Sequence, residues 1–372
     1  MLKQQKIFFD FLRFCISSAK EIPDSLKEAD WKELYAIAKK QALLGVLFYG
    51  IQRLPKELAP EQKLLMQWMV MAEQIRKQNI RLFLDSVKVC QNFENEGFAN
   101  CILKGQGNAL LYPDPYMRTP GDIDIYLSGG RRKIMKYVDQ VCPNQVMRYH
   151  HVDFPVMKTA IEVHFTPSYM FFPIHNSRMQ KWFKEVMGEQ CNHRVSLPDG
   201  YGEIHMPQVS FNVIYILSHL YRHIFTEGIG LRQLLDYYFV VMMWHTDLTN
   251  LTDSDSADLA ALQRELKRLG LWKFAGAVMY VLHEVFGLEE DMMIVPINEK
   301  EGMFLLDEIM RGGNLGQYDD RLGDKTGEGK VHRYFRMSLR NMRFVRHYPS
   351  EALCEPLFRT WFWTWKKLNV TK

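Results

Sequence analysis

The sequence predicts an α+β protein, a small mixed sheet set between two helical regions. Three observations carry this expectation. Apolar residues recur at helical spacing through the first 97 residues and again from Gln208 onward. Between them lie short runs that alternate every second residue, above all DIDIYL (122–127) and AIEVHF (160–165). The composition, 47% hydrophobic and 24% charged over 372 residues, is that of a globular chain and excludes wholesale disorder.

The first region, 1–97, reads as helical. Trp31, Leu34, Ile37 and Ala38 share one helix face, and Leu64, Leu65, Trp68, Met69 and Met71 another. Asp30 is placed to cap a helix, with Glu33 completing a capping box. No Gly or Pro interrupts the stretch from Pro60 to Gly97, which predicts one long helix. Residues 98–207 follow as a mixed α/β unit. NCIL (100–103) is a short strand ending at Lys104-Gly105. Residues 106–112 form one or two helical turns, stopped by Pro113-Asp114-Pro115. Residues 122–127 make a strand, 131–141 a helix, 145–156 and 160–165 further strands, and 195–206 a hairpin around Pro-Asp-Gly.

Residues 208–311 return to helix, with breaks at Gly228–Gly230 and after 287. His219 and His223 stand one turn apart, without the glutamate of a metalloprotease helix. Buried or interfacial histidines are the simpler reading. Residues 312–329, glycine-rich and without periodicity, read as a flexible loop. Residues 330–372 close the chain as basic and aromatic helices.

The formal charge of +4 hides an asymmetry. Residues 330–372 hold ten Lys/Arg against two Asp/Glu, leaving the rest of the chain at −4. Arg333, Arg336, Arg340 and Arg343 fall on one helical face, with Phe335, Leu339, Met342 and Val345 on another. The arginine stripe reads as the solvated face of a packed helix or as a site for an anionic partner, a nucleic acid or a membrane surface. No stretch approaches the ~18 apolar residues of a membrane span. Asp10 and Arg13 break the uncharged core a signal peptide needs. The six scattered cysteines form no C-x-x-C pair, as expected of reduced thiols in the cytoplasm.

The chemistry concentrates in LKGQGNALLYPDPYMRTPGDIDIYL (103–127). Asp122 and Asp124 lie two apart on a strand, so both project from one face, where adjacent carboxylates call for a cation. Oxygen ligands of this kind suit Mg²⁺ bound together with substrate phosphates. Gly105 lets the backbone approach a ligand, and the short helix after it offers N–H groups to an anion. Glu162 occupies a central strand position on the opposite face from Ile161 and Val163. If its strand lies beside DIDIYL, it supplies a third carboxylate. Arg232 and Asp236, at i and i+4 after a glycine turn, read equally as a helix-face ion pair or as substrate contacts.

These residues resemble the polymerase-beta-like nucleotidyltransferase superfamily, whose mark is an apolar residue, Gly, then Gly or Ser, a spacer, and Asp-apolar-Asp/Glu. Within it the chain is most similar to an uncharacterised bacterial nucleotidyltransferase family. The matching residues are Lys104, Gly105, Leu111-Tyr112-Pro113, Arg118, Asp122, Asp124, Glu162 and His164, with Arg232 and Asp236 in GIGLRQLLDYY. The resemblance spans roughly 35–290. It implies a nucleotidyltransferase core at 98–207, a helical substrate-side domain at 208–311, and transfer of a nucleoside monophosphate from an NTP to a hydroxyl or amine. Asp122, Asp124 and Glu162 are then the metal-binding and catalytic residues, with two Mg²⁺ ions. Lys104, Gly105, Gln106, Arg118, Arg232 and Asp236 lie on the nucleotide side, and His164 accompanies Glu162. The acceptor is a small molecule, a protein or RNA. Gln106 stands where the superfamily has Gly or Ser. This leaves as alternatives a nucleotide-binding module without transfer, or a nucleic-acid binder that uses the arginine stripe.

Overall fold

The structure, a computed structural model, describes residues 3–18, 21–249, 255–322 and 329–369. It is largely helical around a four-stranded mixed sheet: β1 (Asn100–Ile102), β2 (Ile123–Leu127), β3 (His151–Asp153) and β4 (Ile161–His164), in the order β1-β2-β4-β3. β2 runs antiparallel to β1 and parallel to β4, and β3 is antiparallel to β4. A separate hairpin, β5 (Arg194–Ser196) and β6 (Glu203–His205), turns through Pro198–Gly200 as the sequence predicts.

Alternation explains how the sheet presents a site. Ile123, Ile125, Leu127, Ile161, Val163 and Val152 are buried in one apolar cluster with Phe93, Ile134 and Val138. Asp124, Tyr126, Glu162 and His164 therefore take the other face. The Gln62–Asn95 helix is one uninterrupted element of 34 residues, as the sequence predicts, and it joins two cores. Trp68, Ala72 and Ile75 pack in the larger cluster, shared with the N-terminal helices and those of residues 209–312. Leu82, Phe83, Val89 and Phe93 pack under the sheet. Between the two sets, buried Asn79 donates through Nδ2 to the carbonyls of Tyr116 and Arg118, both at 2.8 Å.

Several local readings need revision. Asp30 does cap Trp31–Lys40, accepting from Lys32 and Glu33, but its own N–H donates to Gln4 at 2.9 Å. The N-terminal helix thus takes the place of Glu33 in the expected capping box. Of 145–156 only His151–Asp153 is a strand, with a single bridge from Met147 to Val152. The Pro173–Gln190 helix was not expected. Its buried Met179, Phe183, Met187 and Gln190 follow helical spacing after a proline at its first position. Residues 323–328 of the expected glycine-rich loop lie outside the described residues. Residues 314–316 and 320–322 form short 3₁₀ turns.

The basic helix Lys330–Met342 is turned opposite to expectation. Arg333 is exposed and Arg336 half-buried, whereas Arg340 is buried and Arg343 pairs with Glu308 at 2.8 Å and Asp319 at 3.0 Å. Arg343 is thus drawn inward by acids and Arg340 is buried against Asn341 and the Phe344 ring, so no continuous stripe faces solvent. Phe335, Leu339 and Met342 are exposed instead. The final helix, Pro349–Asn369, folds back onto the sheet unit. Phe358 and Phe362 pack edge-on to Tyr149, and Arg131 lies 5.2 Å from the Trp365 ring centre. Among the described residues no helix is long and apolar enough to cross a membrane. All six cysteines are free thiols.

Candidate active site

Glu162 meets the condition set by the sequence. β4 pairs beside β2 with Asp124 directly opposite Glu162, and Tyr126 opposite His164. In a parallel pair, residues in register point to the same face, so the two carboxylates share it. Asp122 sits one residue before β2, where the Ile123 N–H donates to the Ala160 carbonyl. Its spacing from Asp124 keeps it on that face.

Gly105 provides the turn into this site. It adopts φ +67°, and a Cβ there would lie 3.6 Å from the Asp122 carbonyl oxygen, so the turn backs onto the acidic strand. The helix after it is a single turn, Gln106–Ala109, which limits its macrodipole. Gln106 is buried, with its side-chain oxygen lacking a hydrogen-bond partner. The side chain that departs from the superfamily pattern is therefore packed inward.

The carboxylates are held in a network of bases. Lys104 Nζ lies 3.1 Å from Asp124 Oδ2 and 2.9 Å from His219 Nε2. His164 Nε2 lies 2.9 Å from Asp124 Oδ1 and 3.7 Å from Glu162 Oε2. His151 Nδ1 lies 3.2 Å from the same Glu162 oxygen. Burial opposes charge on Asp124, but Lys104 and His164 outweigh it and hold the carboxyl well below its usual range. Burial likewise opposes charge on Glu162, and the hydrogen bond from His164 turns its shift downward. Asp122 moves the other way. The Asp124 charge, then burial, push it up to about 6. Among the described residues it has no ion-pair partner. The two acids share one face, yet Lys104 and His164 bond Asp124 and not Asp122, so the two shifts run in opposite directions.

Arg118 and Asp236 are brought together in a way the sequence did not indicate. Asp236 does not pair with Arg232 on its own helix. It accepts both Arg118 Nε and Nη2 at 2.8 Å, and the Tyr112 hydroxyl at 2.7 Å. All three side chains are buried. This fork fixes the loop that leads into Asp122. Asn79 holds the same loop from the long helix, and Thr119 Oγ1 donates to the Ala42 carbonyl at 2.6 Å. Gly45 permits the approach, since a Cβ there would lie 2.2 Å from the Met117 carbonyl oxygen. Arg118 is thus committed to a clamp. Arg232 has one hydrogen bond, to the Thr119 carbonyl at 3.3 Å, and a buried Nε without a partner. It lies in the electrostatic field of Asp122 and Asp236.

His219 and His223 pack ring to ring at 4.3 Å on the Val209–Thr226 helix. Arg222 Nη2 lies 3.3 Å from His219 Nδ1 and 3.0 Å from His223 Nε2. They orient Lys104 and Arg222 and belong to no metal-ligating group among the described residues. The groups that do converge are Asp124, Glu162 and His164; His151, Asp153 and Glu162; and His150, His151 and His164. His150, His151 and Asp153 were missed in the sequence. The available signal was HHVD, whose second and fourth residues alternate onto one strand face.

A nucleotidyltransferase is the class to which this chain belongs. The model of a family described as uncharacterised nucleotidyltransferase matches residues 27–287, and the chain is a member of that family. Comparison with curated proteins and with solved structures gave no match.

Proposed function

We propose that the protein transfers a nucleoside monophosphate from an NTP to a hydroxyl or amine acceptor, with Asp122, Asp124 and Glu162 at the reacting centre. The observation that carries this reading is the register of Asp124 against Glu162, with Asp122 on the same face and the Gly105 turn backing onto it.

The residues fit a divalent cation. Asp122 is pushed up to about 6 by the Asp124 charge and by burial, both of which a cation between the two carboxylates would offset, and the carboxylate oxygens are the hard donors such an ion takes. Asp122, Asp124 and Glu162 would hold it, as one ion or two, and oxygens alone would select Mg²⁺. When bound, the cation supplies charge stabilisation for the triphosphate and a lowered pKa for the acceptor. The chain's own residues do the rest. The Gly105 turn brings backbone N–H groups close to the phosphates. Arg232, whose guanidinium is not fully used, neutralises phosphate charge. Lys104 balances Asp124 and is itself oriented by His219. Glu162 is positioned to take the acceptor proton as the acceptor oxygen or nitrogen bonds the α-phosphorus and the bond from that phosphorus to the bridging oxygen breaks, releasing pyrophosphate. The Arg118–Asp236 fork positions the loop before Asp122 and does not touch the nucleotide.

The test is incubation with α-labelled NTPs and a panel of hydroxyl and amine acceptors, with and without divalent cation. Label transfer with pyrophosphate release, lost in Asp124→Asn, is the expected result. Saturable NTP binding without pyrophosphate release under any condition would favour a binding module.

A further inference from the structure

We propose that this site selects a first-row transition ion such as Mn²⁺ or Zn²⁺, with His164 Nε2 as a nitrogen ligand beside Asp124 and Glu162. The proposal rests on reading those two carboxylates as metal ligands, and it changes which ion they bind.

The donor atoms are spaced for one ion. His164 Nε2 stands 2.9 Å from Asp124 Oδ1 and 3.7 Å from Glu162 Oε2, and all three donors lie within 4.8 Å of one another. Donors about 2.1 Å from a common ion are separated by roughly 3.0 Å at right angles and roughly 3.4 Å in a tetrahedron. The observed edges bracket those values. Lys104 occupies only the far oxygen of Asp124, Oδ2, and leaves Oδ1 turned toward His164.

A purely orienting role for His164 explains less. A single Nε2–H serves one acceptor well, yet this nitrogen faces two carboxylates. Its other nitrogen, Nδ1, is buried with no hydrogen-bond partner, so the ring's placement rests on Nε2 and on the packing around it. His164 is fully buried and adjoins His150 and His151, with ring centres 5.1 and 5.2 Å away. One Glu162 oxygen, Oε2, therefore meets two imidazoles, since it is also 3.2 Å from His151 Nδ1. Mg²⁺ takes oxygen and seldom nitrogen, whereas imidazole suits Zn²⁺ well, and Mn²⁺, at the weak end of the first-row series, still takes a mixed carboxylate and imidazole set. A site built from carboxylates alone would not need this buried imidazole cluster on and beside β3 and β4.

The experiment uses Mn²⁺ alone, without nucleotide, on the full chain. Pulsed electron paramagnetic resonance of the bound Mn²⁺ reads nitrogen coordination, and equilibrium dialysis reads affinity for Mn²⁺ and Mg²⁺. The expected result is nitrogen coupling in the wild type. In His164→Gln that coupling is lost and Mn²⁺ affinity falls about tenfold or more, with Mg²⁺ affinity changed less than about threefold. Bound Mn²⁺ without nitrogen coupling in the wild type overturns the proposal whatever the variant does, and so does equal weakening of both ions. Coupling that disappears in His151→Gln but survives in His164→Gln overturns the assignment to His164. Oxygen-only binding of Mn²⁺ leaves the proposed transfer function standing. Failure of both ions to bind removes both readings.

Discussion

Removing Asp236 should destabilise the fold more than removing Arg118, although the two form one ion pair. Asp236 accepts three hydrogen bonds, two from the Arg118 fork at 2.8 Å and one from Tyr112 at 2.7 Å. Burial works against its charge, and Arg118, helped by Arg232, outweighs that and keeps the carboxyl below its ordinary value. Asp236→Leu strands a buried guanidinium, at about 3–5 kcal/mol. It also strands the Tyr112 hydroxyl, at about 1–3 kcal/mol. Because the two share a network, about 4–6 kcal/mol is expected for both together. Arg118→Met leaves Asp236 with Tyr112 and with the charge of Arg232 one helical turn away, so about 2–3 kcal/mol is expected. In the double variant only the Tyr112 hydroxyl loses a partner, and about 1–2 kcal/mol should remain. Urea unfolding of the four proteins at one pH measures this directly for a chain in the upper part of the ordinary range of about 5–15 kcal/mol, which stays folded after a loss of about 4–6 kcal/mol. An Arg118→Met cost equal to that of Asp236→Leu would refute the asymmetry. A double variant no more stable than Asp236→Leu would refute the clamp itself.

Three further outcomes follow from the site. In metal-free protein, Asp122 has a folded pKa raised from 3.8 to about 6, so the stability tied to its protonated form is present below 3.8 and lost as pH rises through 6. Asp122→Asn should therefore be more stable than wild type by about 1–2 kcal/mol at pH 7.5, after screening is allowed for, with the gap closing toward pH 4 in urea melts. Gly105→Ala should cost about 1–3 kcal/mol in the same assay through its positive φ alone, since the new Cβ meets the Asp122 carbonyl at an ordinary 3.6 Å. Arg232→Ala should weaken NTP binding about tenfold or more and cost about 1–2 kcal/mol of stability through the lost bond to Thr119 and the lost charge beside Asp236, two effects that calorimetry and melting resolve separately.

The acidic strand was legible because alternation makes a strand declare its faces. Asp122 and Asp124 against Ile123 and Ile125, and Glu162 against Ile161 and Val163, fixed which side would carry chemistry. The pairing partner across a distance was not legible. Asp236 has Arg232 at i+4 spacing on its own helix, yet it bonds Arg118, more than a hundred residues earlier, because the loop before Asp122 is pinned there by Asn79, Thr119 and Arg232. The basic helix failed for the same reason. Its pattern is amphipathic, but a pattern does not say which face turns inward, and buried Asp319 with nearby Glu308 drew Arg343 in. The Pro173–Gln190 helix was legible in its spacing and was missed. The His151 contact with Glu162 depended on strand order, which no local pattern encodes.

The central claim is that three carboxylates on one sheet face bind an NTP through a divalent cation. Calorimetric titration of a non-hydrolysable nucleoside triphosphate, with and without divalent cation, tests it without knowledge of the acceptor. The account predicts binding that requires the cation and is lost in Asp124→Asn and in Glu162→Gln, with both variants folded. Binding that is unchanged in those variants, or that never occurs with any of the four common nucleotides, would contradict it.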